Sequence, residues 1–166
     1  MHRLTQPRLA APVRRLTGLA GLLCAVTAIG AGFAASAAPA ADVAITNPWF
    51  RFITPQVPAG GYATLRNTSP DPAVLTQASS SACGSLMIHH SMASGSTEMM
   101  MPVASVTIPA GGTVAFSPGG YHLMCMQPRM KPGDSIPVTF TFQNGATLDT
   151  QFKVVGATGR PPHSGS

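Results

Sequence analysis

The stretch Ile136-Pro137-Val138-Thr139-Phe140-Thr141-Phe142 alternates apolar with polar residues along its length. Successive side chains of a β-strand point to opposite faces of the sheet, so this stretch places its Ile, Val and Phe side chains on a core and its Thr side chains toward solvent. Pro137 lies near the start, where a missing N–H is tolerated. The stretch therefore predicts a β-strand with one buried face.

Short apolar runs separated by proline and glycine continue on both sides of this stretch. Such punctuation is typical of an all-β sandwich or barrel, and 166 residues suffice for one domain but hardly for two. The predicted strands are Trp49–Ile53, Gly61–Asn67, Ala73–Ser79, Leu86–His90, Met99–Ile108, Thr113–Phe116, Tyr121–Met126, Ile136–Phe142 and Thr147–Val154.

Residues 1–40 have the pattern of a secretory signal peptide. A basic start ends at Arg15, an apolar stretch covers residues 16–35, and the small residues that signal peptidase requires follow it. A retained membrane anchor is the alternative, because the apolar stretch is long enough to span a bilayer. The small residues favour cleavage, so we predict that residues 1–40 are removed and that the protein is exported to the periplasm.

Two details of the leader leave the export route open. Cys24 follows a leucine instead of the small residue that a lipidation site needs, which makes lipidation a weaker alternative. The Arg14-Arg15 pair raises twin-arginine export, although its neighbours match that signal poorly. Beyond the leader we predict one domain at residues 41–155 and a disordered tail, rich in Gly, Pro and Ser, at residues 156–166.

The positive charge of the chain is concentrated in the leader. Residues 1–40 hold four basic residues and no acidic one, whereas six Lys and Arg face five Asp and Glu from Ala41 onward. The formal charge of +5 therefore falls to +1, six minus five, beyond the leader. A near-neutral body has no basic face to attract phosphates, which argues against a nucleic-acid partner. The sequence also has no triad-like set and no paired carboxylates, so we predict that the protein is not an enzyme.

Methionine and histidine gather in one part of the chain. Eight of the nine methionines lie between Met87 and Met130, together with His89, His90 and His122. Methionine usually fills cores, but a core gives no reason to collect it beside three histidines. Thioether sulfur is soft and uncharged and so favours Cu(I), whereas a hard cation would need more carboxylates than the single Glu98 of this window. The window therefore predicts a copper site.

Strand geometry indicates which of these side chains share an ion. In the strand predicted at 121–126, His122 and Met124 point to the same face. His89 and Met100 would approach from two other segments and close the site at one end of the barrel. Four neighbours could replace one of these ligands: His90, Met99, Met101 and Met126.

Cys83 and Cys125 remain in the chain after the leader. In an oxidising compartment they can form a disulfide, and the alternative is that one thiolate binds the metal. Cys125 lies on the opposite face of its strand from His122, which favours a core or disulfide role unless a bulge reverses the strand's parity.

The spacing of the candidate ligands resembles the copper-binding pattern of the periplasmic copper chaperones called PCuAC. Ten residues separate His89 from Met100, twenty-one separate Met100 from His122, and one separates His122 from Met124. The resemblance covers about residues 43 to 154. Its frame includes Trp49, Arg51, Gly61-Tyr62 and Asn67, the Ile108-Pro109-Ala110-Gly111-Gly112 and Lys131-Pro132-Gly133-Asp134 segments, and the Pro118-Gly119-Gly120 run before Tyr121.

The resemblance implies a cupredoxin-like β-barrel or sandwich of Greek-key type that carries Cu(I) on His89, Met100, His122 and Met124. It also implies an acceptor such as a cytochrome c oxidase subunit or a Sco-type protein. We expect a monomer that does not contact the membrane after its leader is cleaved. Two alternatives stay open: a blue-copper electron carrier with a cysteine ligand, and a structural β-sandwich that binds no metal.

Overall fold

A computed structural model describes residues 42–94 and 97–159 of the chain. Every regular element in these ranges is a β-strand, and no helix among the described residues is long and apolar enough to cross a membrane. The strands are β1 (Val43–Arg51), β2 (Ala59–Asn67), β3 (Ala73–Ser79), β4 (Ser85–Ser94), β5 (Thr97–Pro102), β6 (Val106–Ile108), β7 (Thr113–Phe116), β8 (Tyr121–Met126), β9 (Ser135–Phe142) and β10 (Thr147–Val155).

The predicted leader at 1–40 lies outside the described residues, as do residues 160–166 of the predicted tail. Residues 156–159 of that tail form a turn in which the Gly159 N–H donates to the Gly156 carbonyl oxygen at 3.0 Å. The Arg51 side chain donates to the Ala157 carbonyl oxygen at 2.6 Å. The beginning of the tail is therefore bound to β1.

Alternation of apolar and polar residues builds the core. In β9 the four even-numbered residues from Ile136 to Phe142 are buried, while Ser135 and Pro137 are exposed. β2 follows the same rule, with every second residue from Ala59 to Asn67 buried. The largest side chains without solvent contact come from several strands and form one core: Phe50, Leu65, Leu75, Ile108, Leu123, Phe140 and Phe152.

All ten strands belong to one sheet, in the order β5-β4-β8-β7-β2-β1-β10-β9-β3-β6. Most neighbours are antiparallel, and the β1–β10 and β7–β8 pairs are parallel. The sheet curls around the core, so that β3 approaches β4 although they are not neighbours in the sheet. The prediction of an all-β, cupredoxin-like barrel is confirmed.

Three predicted strands differ from the observed ones by more than two residues. β1 begins at Val43 instead of Trp49, because the Asn47-Pro48 pair forms a bulge within the strand instead of a turn before it. Asn47 takes a positive φ of 52°, which lets the chain continue its pairing with β2 on both sides of the bulge.

The predicted strand at 99–108 is two strands, and β4 extends to Ser94 instead of ending at His90. β5 pairs with β4 and ends at Pro102, whereas β6 pairs with β3 at the far edge of the sheet. The segment between them crosses from one sheet edge to the other. Sequence alternation alone does not show such a change of partner.

The two described cysteines form a disulfide. Cys83 lies in the connection between β3 and β4, and Cys125 lies one residue before the end of β8, with their Cα atoms 5.4 Å apart. Cys125 has no solvent exposure, so its side chain points into the core as the parity of β8 predicts. The disulfide therefore fastens β8 to the segment that leads into β4.

Candidate metal centre

Strand pairing brings the candidate ligands onto one face of the sheet. β4 lies between β5 and β8, with His89 directly opposite His122 and Ser91 directly opposite Met100. Residues two apart in a strand share a face, so Met124 lies on the same face as His122. We call the surface formed by His89, Ser91, Met100, His122 and Met124 the His/Met face.

The imidazole of His122 is oriented by a contact with the backbone of its own turn. Its Nδ1 lies 3.1 Å from the carbonyl oxygen of Gly120. A carbonyl oxygen can only accept, so Nδ1 carries the proton in this contact, and in the neutral imidazole the lone pair is then on Nε2. Nε2 is buried and has no hydrogen-bond partner among the described residues. This is the tautomer that a metal-binding imidazole adopts when its other nitrogen donates to a carbonyl.

The His89 imidazole lies beside His122, with the ring centroids 5.8 Å apart and the planes at 62°. Both of its ring nitrogens are buried without a hydrogen-bond partner among the described residues. Burial lowers the pKa of His89 below its ordinary value of 6.5, and the neighbouring His122 lowers it further. The two imidazoles thus present unsatisfied nitrogens near each other, a costly arrangement that a shared ion would relieve.

The two candidate methionines differ in exposure. Met124 is half-buried in β8, whereas Met100 lies in the edge strand β5 with 55% of its side chain exposed. Both line a cavity of about 280 Å³ together with His122. The structure therefore gathers His89, His122 and Met124 on two paired strands, and Met100 reaches the same cavity from the outer edge.

The far wall of this cavity comes from β1 and β2 and includes residues to which the sequence gave no role. Arg51 and Tyr62 line the cavity, and both lie against the Trp49 ring. The Tyr62 ring is tilted by 37° with its centroid 4.6 Å from that of Trp49, and the Arg51 guanidinium lies 5.1 Å from the Trp49 centroid. Burial raises the pKa of the Tyr62 phenol, and Arg51 partly opposes that rise. Their place in the PCuAC-like frame was the only sequence feature that singled out these residues.

The donor set around the cavity is soft and uncharged. The imidazole of His122 and the thioethers of Met100 and Met124 line the cavity, the His89 imidazole lies beside His122, and no carboxylate of the described residues lines the cavity. Over residues 42–94 and 97–159, no three His, Cys, Asp or Glu side chains form a group that could hold a metal. Methionine sulfur is thus needed to complete any site here, and that favours Cu(I) over Zn, Mg or Ca.

The disulfide argues against the blue-copper alternative. A blue-copper site needs a cysteine thiolate beside two histidines, and in the part of the chain that the structure describes both cysteines are bonded to each other. Cys125 also points into the core, away from the His/Met face.

Solved structures with a similar fold include PCuAC domains. The copper-bound PCuAC domain from PmoF2 is 20% identical, with a TM-score of 0.59 over 72% of this chain and 97% of that domain. Apo-DR1885 from Deinococcus radiodurans is 26% identical, with a TM-score of 0.55 over 95% of both chains. The CuI form of DR1885 is 28% identical, with a TM-score of 0.53 over 75% of this chain and 83% of that one. The resemblance to PCuAC predicted from the sequence is confirmed.

Sequence comparison gives the family. A curated relative from Leifsonia xyli subsp. xyli, described as "Putative lipoprotein Lxx21020", is 31% identical over 140 residues, which cover 80% of this chain and 84% of the relative. The prediction that the protein is not an enzyme agrees with these relatives. The family model described as "Putative lipoprotein LpqE-like" matches residues 43–154, so the chain belongs to the LpqE-like family.

Proposed function

We propose that this protein is an exported copper chaperone that binds one Cu(I) through His89, Met100, His122 and Met124. The observation that carries the proposal is the buried Nε2 of His122 beside the buried ring nitrogens of His89, none of which has a hydrogen-bond partner within residues 42–94 and 97–159. Burying imidazole nitrogens without partners costs stability, and a metal ion between them would satisfy both rings. The printed descriptions of the solved relatives, which include a copper-bound PCuAC domain and CuI-DR1885, support the same cargo.

The chemistry of the four donors explains why Cu(I) is the form carried. Imidazole and thioether are both neutral, so the site adds no negative charge that would favour a dication. Thioether also binds without losing a proton and does not oxidise to a disulfide, which suits a compartment where Cys83 and Cys125 are joined.

Release of the ion would begin at Met100. Its side chain is 55% exposed on an edge strand, whereas His122 is only 4% exposed. An acceptor's ligand can therefore replace the Met100 sulfur without opening the core. We propose a copper-accepting protein as the partner, and the PCuAC resemblance points to a cytochrome c oxidase subunit or a Sco-type protein.

The location that fits this cargo is outside the cytoplasm. The leader at 1–40 supports export to the periplasm with cleavage near residue 40. The lipoprotein descriptions of the family and of the Leifsonia relative support an exported protein too, and they favour lipid attachment at Cys24 as the second route. Mass spectrometry of the protein's N-terminus from its own cells separates the two, because cleavage near residue 40 removes Cys24 and lipidation retains it.

Cu(I) affinity in single variants tests the ligand set. The change is His122→Ala or Met124→Leu, measured by anaerobic competition with a chromophoric Cu(I) chelator. Losing a group that only orients a ligand weakens metal binding by about 10- to 100-fold, so losing a ligand should weaken it by at least that much. Leucine preserves the apolar volume of methionine, so the Met124 variant should stay folded.

Met130→Leu is the matched control. Met130 is buried in the core with 8% exposure and does not line the cavity, so its replacement should leave Cu(I) affinity unchanged. Wild-type affinity in both ligand variants would refute the site. If the wild-type chain does not bind stoichiometric Cu(I), the alternative of a structural β-sandwich that binds no metal would be favoured.

A further inference from the structure

A second group of histidine and methionine side chains lies on the other face of the β4–β5 hairpin. His90 is directly opposite Met101, and Met92 is directly opposite Met99. These are two consecutive same-face pairs, because His90 and Met92 are two residues apart in β4 and Met99 and Met101 are two apart in β5. We call the surface formed by His90, Met92, Met99 and Met101 the hairpin face.

The hairpin face and the His/Met face cannot share an ion. Each hairpin-face residue alternates along its strand with a His/Met-face residue, as His90 does with His89 and Met101 does with Met100. Successive side chains of a strand point to opposite sides of the sheet, so the backbone of the hairpin separates the two groups.

Core packing does not account for the methionines of the hairpin face. Met92, Met99 and Met101 are 48%, 49% and 47% exposed, so none of them fills the interior. Exposed apolar side chains placed together on one surface usually indicate a binding function. Three of them on two paired strands, beside a histidine, need an explanation that the first site does not provide.

The histidine of this face is held in place by an aromatic ring. The His90 imidazole stacks on Tyr121 with the ring centroids 4.4 Å apart and the planes at 28°. Tyr121 in turn lies 5.9 Å from the buried Phe116 ring, which anchors the stack to the core. The imidazole is therefore oriented before any ion arrives, while the three methionines around it remain adaptable.

We propose that His90, Met92, Met99 and Met101 form a second site for a soft monovalent cation, Cu(I) or its analogue Ag(I). Directly opposite residues of antiparallel strands have Cβ atoms about 4.5–5.5 Å apart, a distance that flexible thioether side chains can close around one ion. All four donors are neutral, and soft sulfur predominates over imidazole, so the site selects d¹⁰ monovalent ions over hard dications.

The second site binds more weakly than the first. Three of its four donors are exposed methionines, which lose rotamer freedom when they converge on an ion. In the first site, by contrast, the ring nitrogens of His89 and Nε2 of His122 are already buried, and the Gly120 carbonyl oxygen orients His122. We therefore expect the second equivalent of metal to bind at least about tenfold more weakly than the first, since several side-chain rotors must be fixed for it.

Methionine-methyl NMR during an anaerobic Ag(I) titration tests the second site. With ¹³C-labelled methionine methyl groups, assigned by single Met→Leu variants, the first equivalent should shift the Met100 and Met124 signals. The second equivalent should shift Met92, Met99 and Met101 instead. Saturation at one equivalent, or a second equivalent that moves none of these three methyl groups, would overturn the proposal.

Two variants separate this site from the first one. The Met92→Leu/Met99→Leu/Met101→Leu variant should bind one equivalent with unchanged affinity, because leucine keeps the apolar surface and removes only the sulfur. The His89→Ala/His122→Ala variant should still shift the three hairpin-face methyl groups. If the leucine variant still binds two equivalents, the second ion lies elsewhere and the assignment is wrong, whatever the fate of the first site.

Discussion

Two adjacent glycines of β2 serve different faces of the sheet. Gly60 lies opposite Met124 and lines the cavity of the His/Met face. Gly61 faces the core, where an added Cβ would lie 2.5 Å from Cε1 of the Phe50 ring and 3.0 Å from Cβ of Leu123. Phe50 and Leu123 have no solvent exposure, so neither side chain has room to move.

Gly61→Ala is therefore expected to destabilise the fold. Overpacking a filled core costs about 1–3 kcal/mol, and the contact with Phe50 is too short to relax without a shift of the ring or of the strand. The free energy of unfolding, measured by urea titration, gives the size of the loss.

Gly60→Ala is the matched control, one residue away in the same strand. An added Cβ there would lie 2.7 Å from the hydroxyl oxygen of Tyr62, at the far end of a half-buried side chain that can shift. We expect a smaller loss of stability, under about 1 kcal/mol. Equal losses in both variants would show that the packing of Gly61 against Phe50 is looser than the structure indicates.

At the level of strands, β8 connects the core to the candidate metal centre. His122 and Met124 face the cavity while Leu123 and Cys125 have no solvent exposure, so one strand supplies two of the proposed ligands and part of the core. The disulfide from Cys125 to Cys83 spans 42 residues of sequence and fastens β8 to the segment that leads into β4. The two strands that carry His89 and His122 are thereby linked covalently near their ends.

Removal of this disulfide should weaken the fold and spare the metal site. For a loop of this length the chain-entropy model gives roughly 4 kcal/mol of stabilisation, so Cys83→Ala/Cys125→Ala should unfold at markedly lower urea concentration. Cu(I) affinity of the folded variant should stay within about threefold of the wild type, because neutral imidazole and thioether supply every proposed ligand.

The same variant distinguishes the two roles that the cysteines could have. Folded protein that no longer binds Cu(I) would mean that a cysteine contributes to the site. Unchanged stability would mean that the core packing of β8 makes the cross-link redundant.

The elements differ in how far the sequence predicted them. β3, β7 and β8 have the predicted boundaries, since proline, glycine or polar residues flank each apolar run. The parity of β8 also predicted that His122 and Met124 share a face. The length of β4 was underestimated, because Ser91 to Ser94 contains mostly small and polar residues, as a loop does.

The sequence pattern could not predict which residues of distant strands pair with each other. That His89 lies directly opposite His122 depends on the register between β4 and β8, which the pattern of either strand alone does not determine. The contact between His122 and Gly120 and the burial of the unpaired nitrogens are likewise tertiary features. Strand periodicity only reduced the number of candidate ligands, and the resemblance to PCuAC supplied the predicted set of four.

In the molecule as a whole, the curled sheet keeps the core that stabilises the fold apart from the candidate metal centre, where copper would be exchanged. The apolar core occupies the interior of the curl, while the candidate metal centre lies near the β5 edge of the sheet. β5 contributes Met100 to one face and Met99 and Met101 to the other, so every ligand that we propose on this strand is exposed. A carrier that must release its ion to another protein benefits from ligands at such an edge.

The central claim is that one Cu(I) is bound by two imidazoles and two thioethers. X-ray absorption fine structure of the chain loaded anaerobically with one equivalent of Cu(I) tests it most directly, because nitrogen and sulfur neighbours of copper are counted separately. We predict two nitrogen neighbours with the multiple-scattering pattern of imidazole and two sulfur neighbours. A copper environment of three or more sulfurs, or one without imidazole, would contradict the assignment of His89, Met100, His122 and Met124.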